Sequence, residues 1–82
     1  MNNTLKNTRD WIVQSSKSSF YDAMEEAKLT PRQRKILEMR FIGGLLNYQI
    51  AMEMNISVKT VEVELNSIYK AIFRILDRYK RL

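Results

Sequence analysis

The 82-residue sequence contains no cysteine and no histidine, and it has only two glycines and one proline. Without cysteine there is neither a disulfide nor a thiolate site, and without histidine the commonest general base is missing. The usual zinc ligands are absent as well. Clustered carboxylates, a nucleophile beside a base and a glycine-rich phosphate loop are also lacking. We therefore expect a protein that is not an enzyme and that binds no metal and no cofactor.

Long apolar stretches are missing too. No run approaches the roughly 20 residues that cross a bilayer, and the N-terminal "MNNTLKNTRD" lacks the apolar stretch of a signal peptide. We therefore expect a cytoplasmic protein that makes no membrane contact. The scarcity of glycine and proline leaves little turn chemistry for a sheet, so the composition favours a small all-α domain.

The net charge of +5 is distributed unevenly along the chain. Residues 1–29 carry four basic and four acidic groups, so the whole basic excess lies in residues 30–82. A basic half is typical of proteins that bind nucleic acid, although the ordinary lysine and arginine content of a solvated surface explains the charge equally well.

Two short helices are predicted in residues 1–29, which we assign to an N-terminal helical extension. Thr8 is expected to cap the first helix, in "TRDWIV". Ser19, with Asp22 three residues later, resembles a capping arrangement that opens the second helix, "FYDAMEEAKL".

A third helix, over residues 31–41, has the clearest start signal. Thr30 is a favoured N-cap, Pro31 occupies the first helical position, and Gln33 completes a capping box with Thr30. The pair Gly43-Gly44 then permits the left-handed backbone that ends a helix.

The segment "NYQIAMEMNISVKTVEVEL" has the spacing of two helices that cross through a tight turn. Ala51 supplies a small residue at the crossing, and Asn55, four positions on, tolerates the positive φ of the turn. Val61, ten positions after the alanine, anchors the second helix against the first, and Ser57 caps that second helix. This combination is typical of a DNA-binding helix-turn-helix.

The last helix is predicted to run from Ser57 to about residue 80, with an apolar seam at heptad-like spacing: Val61, Leu65, Ile68, Ile72, Ile75, Tyr79 and Leu82. Such a seam is most often ordinary core. However, about 24 helical residues extend roughly 36 Å, which is longer than a compact three-helix unit covers. A homodimer through residues 68–82 is therefore the alternative.

Residues 29–76 resemble the C-terminal promoter-reading region of bacterial sigma factors and the related DNA-binding domain of LuxR-type regulators. The matching stretches are "LTPRQRKILEMRFIGG", "QIAMEMNIS" and "VKTVEVELNSIYKAI". The resemblance implies that residues 30–82 form a helix-turn-helix domain whose last helix lies in the major groove of DNA. It also implies RNA polymerase as a further partner and a bacterial or phage source.

The chain departs from these families at several positions. Leu46 stands where a serine or threonine usually caps the short helix, so we expect Asn47 to cap it one residue later. Glu62 and Glu64 make the expected recognition helix unusually acidic, and a carboxylate near phosphates is repelled. Both glutamates are expected either to face solvent, to pair with nearby Lys and Arg, or to accept a hydrogen bond from cytosine.

The candidate DNA-binding residues fall into two groups. Arginines and polar residues of the supporting helices are expected to contact the DNA backbone, whereas residues of the last helix are expected to reach base edges or phosphates. The set is Arg32, Arg34, Tyr48, Gln49, Ser57, Val58, Lys59, Thr60, Glu62, Val63, Asn66 and Lys70.

Three functions fit this sequence. The first is a sequence-specific transcription regulator that inserts the helix-turn-helix into the major groove. The second is a protein-interaction or homo-oligomerisation module on the same scaffold that does not bind DNA. The third is DNA recognition for packaging or recombination in a mobile element, which would use the same surface.

Overall fold

The computed structural model of the chain describes the backbone of residues 3–78 and the side chains of residues 7–78. These residues form five helices and no strand: α1 Asn3–Gln14, α2 Lys17–Ala27, α3 Pro31–Phe41, α4 Asn47–Met54 and α5 Val58–Arg78. The expected all-α fold, a small helical bundle that contains a helix-turn-helix, is confirmed. None of the described helices is long and apolar enough to cross a membrane.

The start of α3 follows the predicted capping chemistry. The hydroxyl of Thr30 accepts a hydrogen bond from the Gln33 N–H at 3.1 Å, and the Gln33 side-chain oxygen accepts one from the Thr30 N–H at 3.1 Å. At the other end Gly44 takes the left-handed conformation, with φ +70°. Local chemistry therefore sets both ends of α3, as the sequence predicts.

The predicted caps of α1, α2 and α4 are wrong. Thr8 is fully buried in the middle of α1, and α2 is capped by Ser16, whose hydroxyl accepts from the Ser19 N–H at 3.2 Å. Ser16 can do this because its backbone is extended, whereas Ser19 already lies in the first helical turn. Asn47 is the first residue of α4, and the Leu46 N–H that precedes it donates to the side-chain oxygen of Gln49 at 2.8 Å.

The inner face of α5 forms the centre of the core. Ile68, Ile72 and Leu76 are fully buried, and they share one apolar cluster with Ile12 of α1 and Phe20 of α2. The predicted seam is thus occupied within a single chain up to residue 76, because α1 and α2 cover the part of α5 that a three-helix unit would leave bare. Two further seam positions, Tyr79 and Leu82, lie outside the described residues.

Candidate nucleic-acid interface

The crossing of α4 and α5 depends on three features that the sequence predicts. Ala51 is 5% exposed and lies in the same core cluster as Val61. Asn55 takes the left-handed conformation with φ 56°, and the Ile56 N–H closes the turn on the Ala51 carbonyl at 3.0 Å. The two helices are therefore separate elements joined by a tight turn, and they are not fused into one rod.

A row of exposed side chains follows the surface of α5 opposite its buried face, and we call this row the outer face: Lys59, Val63, Asn66 and Lys70. At 100° per residue, these positions fall within about 60° of one another around the helix. The α1 and α2 helices pack against α5 without covering the row. The outer face is therefore free to enter a groove.

The remaining predicted residues near the turn fall into two classes. Tyr48, Val58 and Glu62 are exposed and available to a ligand. The others also stabilise helix ends. The Ser57 hydroxyl accepts a hydrogen bond from the Thr60 N–H at 3.0 Å at the start of α5, and the Gln49 side chain accepts one from the Leu46 N–H at the start of α4. The first turn of α5 is thus held in place by its own cap.

The two predicted arginines of α3 do not act together. Arg32 and Arg34 are about 200° apart around the helix, so they point to different neighbours. Arg34 reaches Glu25 of α2 at 3.5 Å, whereas the Nε of Arg32 lies 3.3 Å from a carboxylate oxygen of Glu64 on α5. The structure therefore places Arg32 beside the recognition helix and turns Arg34 away from it.

Glu64 does not lie on the outer face. It pairs with Arg32, and its other carboxylate oxygen accepts from the side-chain amide of Gln33 at 3.4 Å. Because Gln33 also belongs to the capping box of α3, Glu64 ties α5 to the first turn of α3. We call Arg32, Gln33 and Glu64 the closed flank of α5. The expectation that Glu64 bridges to a nearby basic residue is correct.

On the opposite flank of α5 lies an open cleft of about 290 Å³, which we call the arginine cleft. It is lined by Arg9, Arg40, Asn47, Glu62, Leu65, Asn66 and Tyr69. Sequence reasoning missed Arg9 and Arg40, since helices α1 and α3 bring them together across 31 positions of sequence. One sequence feature could have indicated Arg40. It lies near the end of α3, shortly before Gly43-Gly44, and is therefore close to the start of α4.

The phenol of Tyr69 lies at the arginine cleft, and its pKa is affected by the charges of both arginines. Burial raises the pKa of Tyr69 above its ordinary value, while the positive charges of Arg40 and Arg9 act to lower it. Neither arginine forms an ion pair with any described residue, although Arg40 donates to the Leu45 carbonyl at 3.2 Å. With two guanidinium groups and the single carboxylate of Glu62, the lining of the cleft carries a net positive charge.

A second, larger depression of about 680 Å³ lies between α1, the start of α2 and the end of α3, and we call it the apolar groove. Ile12, Val13, Phe20, Phe41 and Ile42 supply its apolar surface, and Arg9, Lys17 and Arg40 supply charge. No residue of α5 lines it, so it is separate from the outer face. Elsewhere, the side chains from residue 7 to residue 78 form no His, Cys, Asp or Glu cluster that could hold a metal ion.

A tight turn, a small residue at the crossing and an exposed outer face define the class of helix-turn-helix domains. Comparison with known families agrees, because the family model of sigma-70, region 4, matches residues 27–72, more than half of the chain. The protein therefore belongs to the sigma-70 region 4 family, which indicates a DNA-binding, transcription-related role. No curated protein and no solved structure matches it.

Proposed function

We propose that this domain is a sequence-specific DNA-binding transcription regulator, which acts by binding and not by catalysis. The observation that supports the proposal is the outer face of α5, which is exposed along its length and carries two lysines and one asparagine. Lysine neutralises phosphate, Asn66 has the amide geometry that pairs with adenine, and Val63 suits a thymine methyl. The LuxR-type resemblance, a bacterial or phage source and a cytoplasmic location belong to the same proposal.

The test compares Lys59→Ala plus Asn66→Ala with the unchanged domain, on a duplex selected from random sequences. One good base contact contributes about 1–3 kcal/mol, so the double substitution should weaken specific binding roughly tenfold or more. Both side chains are exposed, so the helical circular-dichroism signal should stay the same. The matched control is Gln14→Ala plus Lys17→Ala, which removes one amide and one lysine from exposed positions near the joint of α1 and α2.

Salt dependence separates the regulator from an interaction module. With about four phosphate contacts, affinity should fall roughly a hundredfold between 50 and 200 mM salt, because releasing the same counterions into a more concentrated salt solution gains less free energy. A module that binds only protein would show no duplex binding at either concentration. An unchanged affinity in the Lys59 and Asn66 variant would mean that DNA binds elsewhere.

We propose RNA polymerase as the second partner, bound at the apolar groove. Val13 and Ile42 are exposed there, and no residue of α5 lines the groove. Val13→Ser plus Ile42→Ser should strongly reduce retention of purified polymerase on the immobilised domain while leaving duplex binding unchanged, because neither substitution alters the charge beside Arg9 and Arg40. Retention that survives both substitutions would remove the groove from this role.

We propose that the domain binds DNA as a single copy. The homodimer through residues 68–82 would need the face that carries Ile68 and Ile72, and both side chains are fully buried against other helices of the same chain. Selection of bound duplexes should return a site without two-fold symmetry, and a symmetric site would support the dimer instead.

A further inference from the structure

The arginine cleft opens directly beside the surface that we propose to enter DNA. Asn66 belongs both to the outer face and to the lining of the cleft, and Glu62 lines the cleft one turn earlier on α5. A helix in the major groove has a phosphate backbone along each side, since the groove is only about 12 Å wide. The cleft therefore lies where one of these two backbones passes.

The cleft carries the charge that a phosphate requires. Arg9 and Arg40 outnumber the single carboxylate of Glu62, and both are free of ion pairs with the described residues. Arginine presents several donors in a planar fork that suits phosphate oxygens. Burial raises the pKa of the Tyr69 phenol at the cleft, and the charges of Arg40 and Arg9 both act to lower it, as expected for two guanidinium groups near the same side chain.

The start of α4 adds to this site. Asn47 is the first residue of an eight-residue helix, so backbone N–H groups of the first turn and the positive end of the helix dipole lie at the cleft. The side-chain oxygen of Asn47 is buried and has no hydrogen-bond partner within residues 3–78. Rotation of this amide would present its NH₂ group to an incoming phosphate oxygen.

We propose that the arginine cleft binds one phosphate of the DNA backbone, and that Arg9 of α1 supplies one of its two guanidinium groups. This inference depends on the proposed DNA-binding function and extends it. Arg9 lies outside residues 27–72, which the family model matches, so the contact does not come from the helix-turn-helix itself. The N-terminal helix thereby becomes part of the DNA-binding surface, besides covering the core.

The experiment measures affinity for the selected duplex at several salt concentrations between 50 and 200 mM, for the full chain and for Arg9→Gln. Loss of one phosphate contact should make the slope of log affinity against log salt shallower by about 0.9. The same relation predicts a loss of roughly tenfold at 50 mM that shrinks to roughly threefold at 200 mM. Arg9→Lys keeps the charge and should retain most of the slope.

Lys17→Gln is the matched control, because it removes one positive charge from a residue that does not line the cleft. It should leave the slope unchanged, and all variants should keep the melting temperature of the unchanged domain. If Arg9→Gln behaves like Lys17→Gln while Lys59→Ala plus Asn66→Ala still weakens specific binding, the inference is overturned and the proposed function stands. If the unchanged domain binds no duplex, both are overturned.

A last arm distinguishes backbone phosphate from free phosphate. Inorganic phosphate is titrated against the melting temperature of the unchanged domain and of Arg9→Gln. Little or no stabilisation at millimolar phosphate, together with the altered DNA slope, supports the backbone contact. Stabilisation that needs Arg9, together with an unaltered DNA slope, would make the cleft a site for a free anion and would overturn the inference.

Discussion

On one flank of α5, Glu64 lies 3.3 Å from Arg32 and also accepts a hydrogen bond from Gln33, whereas on the other flank Arg9 and Arg40 share an open cleft with Glu62. Both sides combine arginine with glutamate. On the closed flank the charges are neutralised within the protein, and the glutamate side chain is only 22% exposed. On the cleft side neither arginine forms an ion pair with a described residue, so both positive charges stay available to a ligand.

This difference explains how one helix can be held firmly and still present a binding surface. The closed flank fixes α5 relative to α3, because an ion pair and a hydrogen bond both end on the same carboxylate. The arginine cleft leaves two guanidiniums unneutralised, which costs little stability at a hydrated surface and preserves attraction for phosphate. The two glutamates of α5 therefore have different roles. Glu64 fixes α5 against α3, and Glu62 lowers the net positive charge of the cleft.

The largest expected effect comes from Ala51→Leu, which would disturb the core and the α4 side of the arginine cleft at once. Ala51 is 5% exposed in the cluster that contains Val61 and Leu65, so a larger side chain forces α4 away from α5. Overpacking of this kind costs about 1–3 kcal/mol, and the start of α4 should shift away from the arginine cleft. Denaturant unfolding should show the loss of stability, and duplex affinity should fall with it.

Met52→Leu is the control for that substitution, because it places a leucine at an exposed position of the same helix. It should leave both stability and affinity unchanged. If Ala51→Leu is as stable as the unchanged domain, close approach of α4 and α5 is not what positions the arginine cleft.

Local signals in the sequence account for most of the fold. The capping box of α3, the positive φ of Asn55 and the cap at Ser57 each depend on residues within four positions of one another, so one sequence suffices to predict them. The predicted cap of α2 is wrong because any of the four serines in "SSKSS" has the side chain of an N-cap. Only the backbone conformation decides that Ser16 is the cap.

The candidate site was less predictable because its parts meet only through tertiary packing. The outer face of α5 follows from helical periodicity, so Lys59, Val63 and Asn66 were predicted and lie together. The arginine cleft needs α1 to pack beside α5, and nothing local to Arg9 encodes that contact. Periodicity also leaves open whether α1 and α2 or a second copy covers the seam.

The smallest and most specific effects should come from Glu62→Gln and Glu64→Gln, which remove the same charge from the two flanks. Glu62→Gln removes a carboxylate from the arginine cleft. It should raise duplex affinity about fivefold, because two unit charges a few ångströms apart in water repel by about 1 kcal/mol. Glu64→Gln breaks a half-exposed ion pair and should lower the free energy of unfolding by about 0.5 kcal/mol. Salt titration of binding and denaturant unfolding measure the two quantities.

Each of these variants serves as the control for the other, because charge, size and helix are the same in both. Glu62→Gln should leave stability unchanged, since Glu62 has no ion pair with the described residues. Glu64→Gln should change affinity less than Glu62→Gln does, because the amide can still accept from Gln33 and hold α5 in place. The reverse order of affinities would mean that DNA runs along Arg32, and the closed flank would then be the one that binds the phosphate backbone.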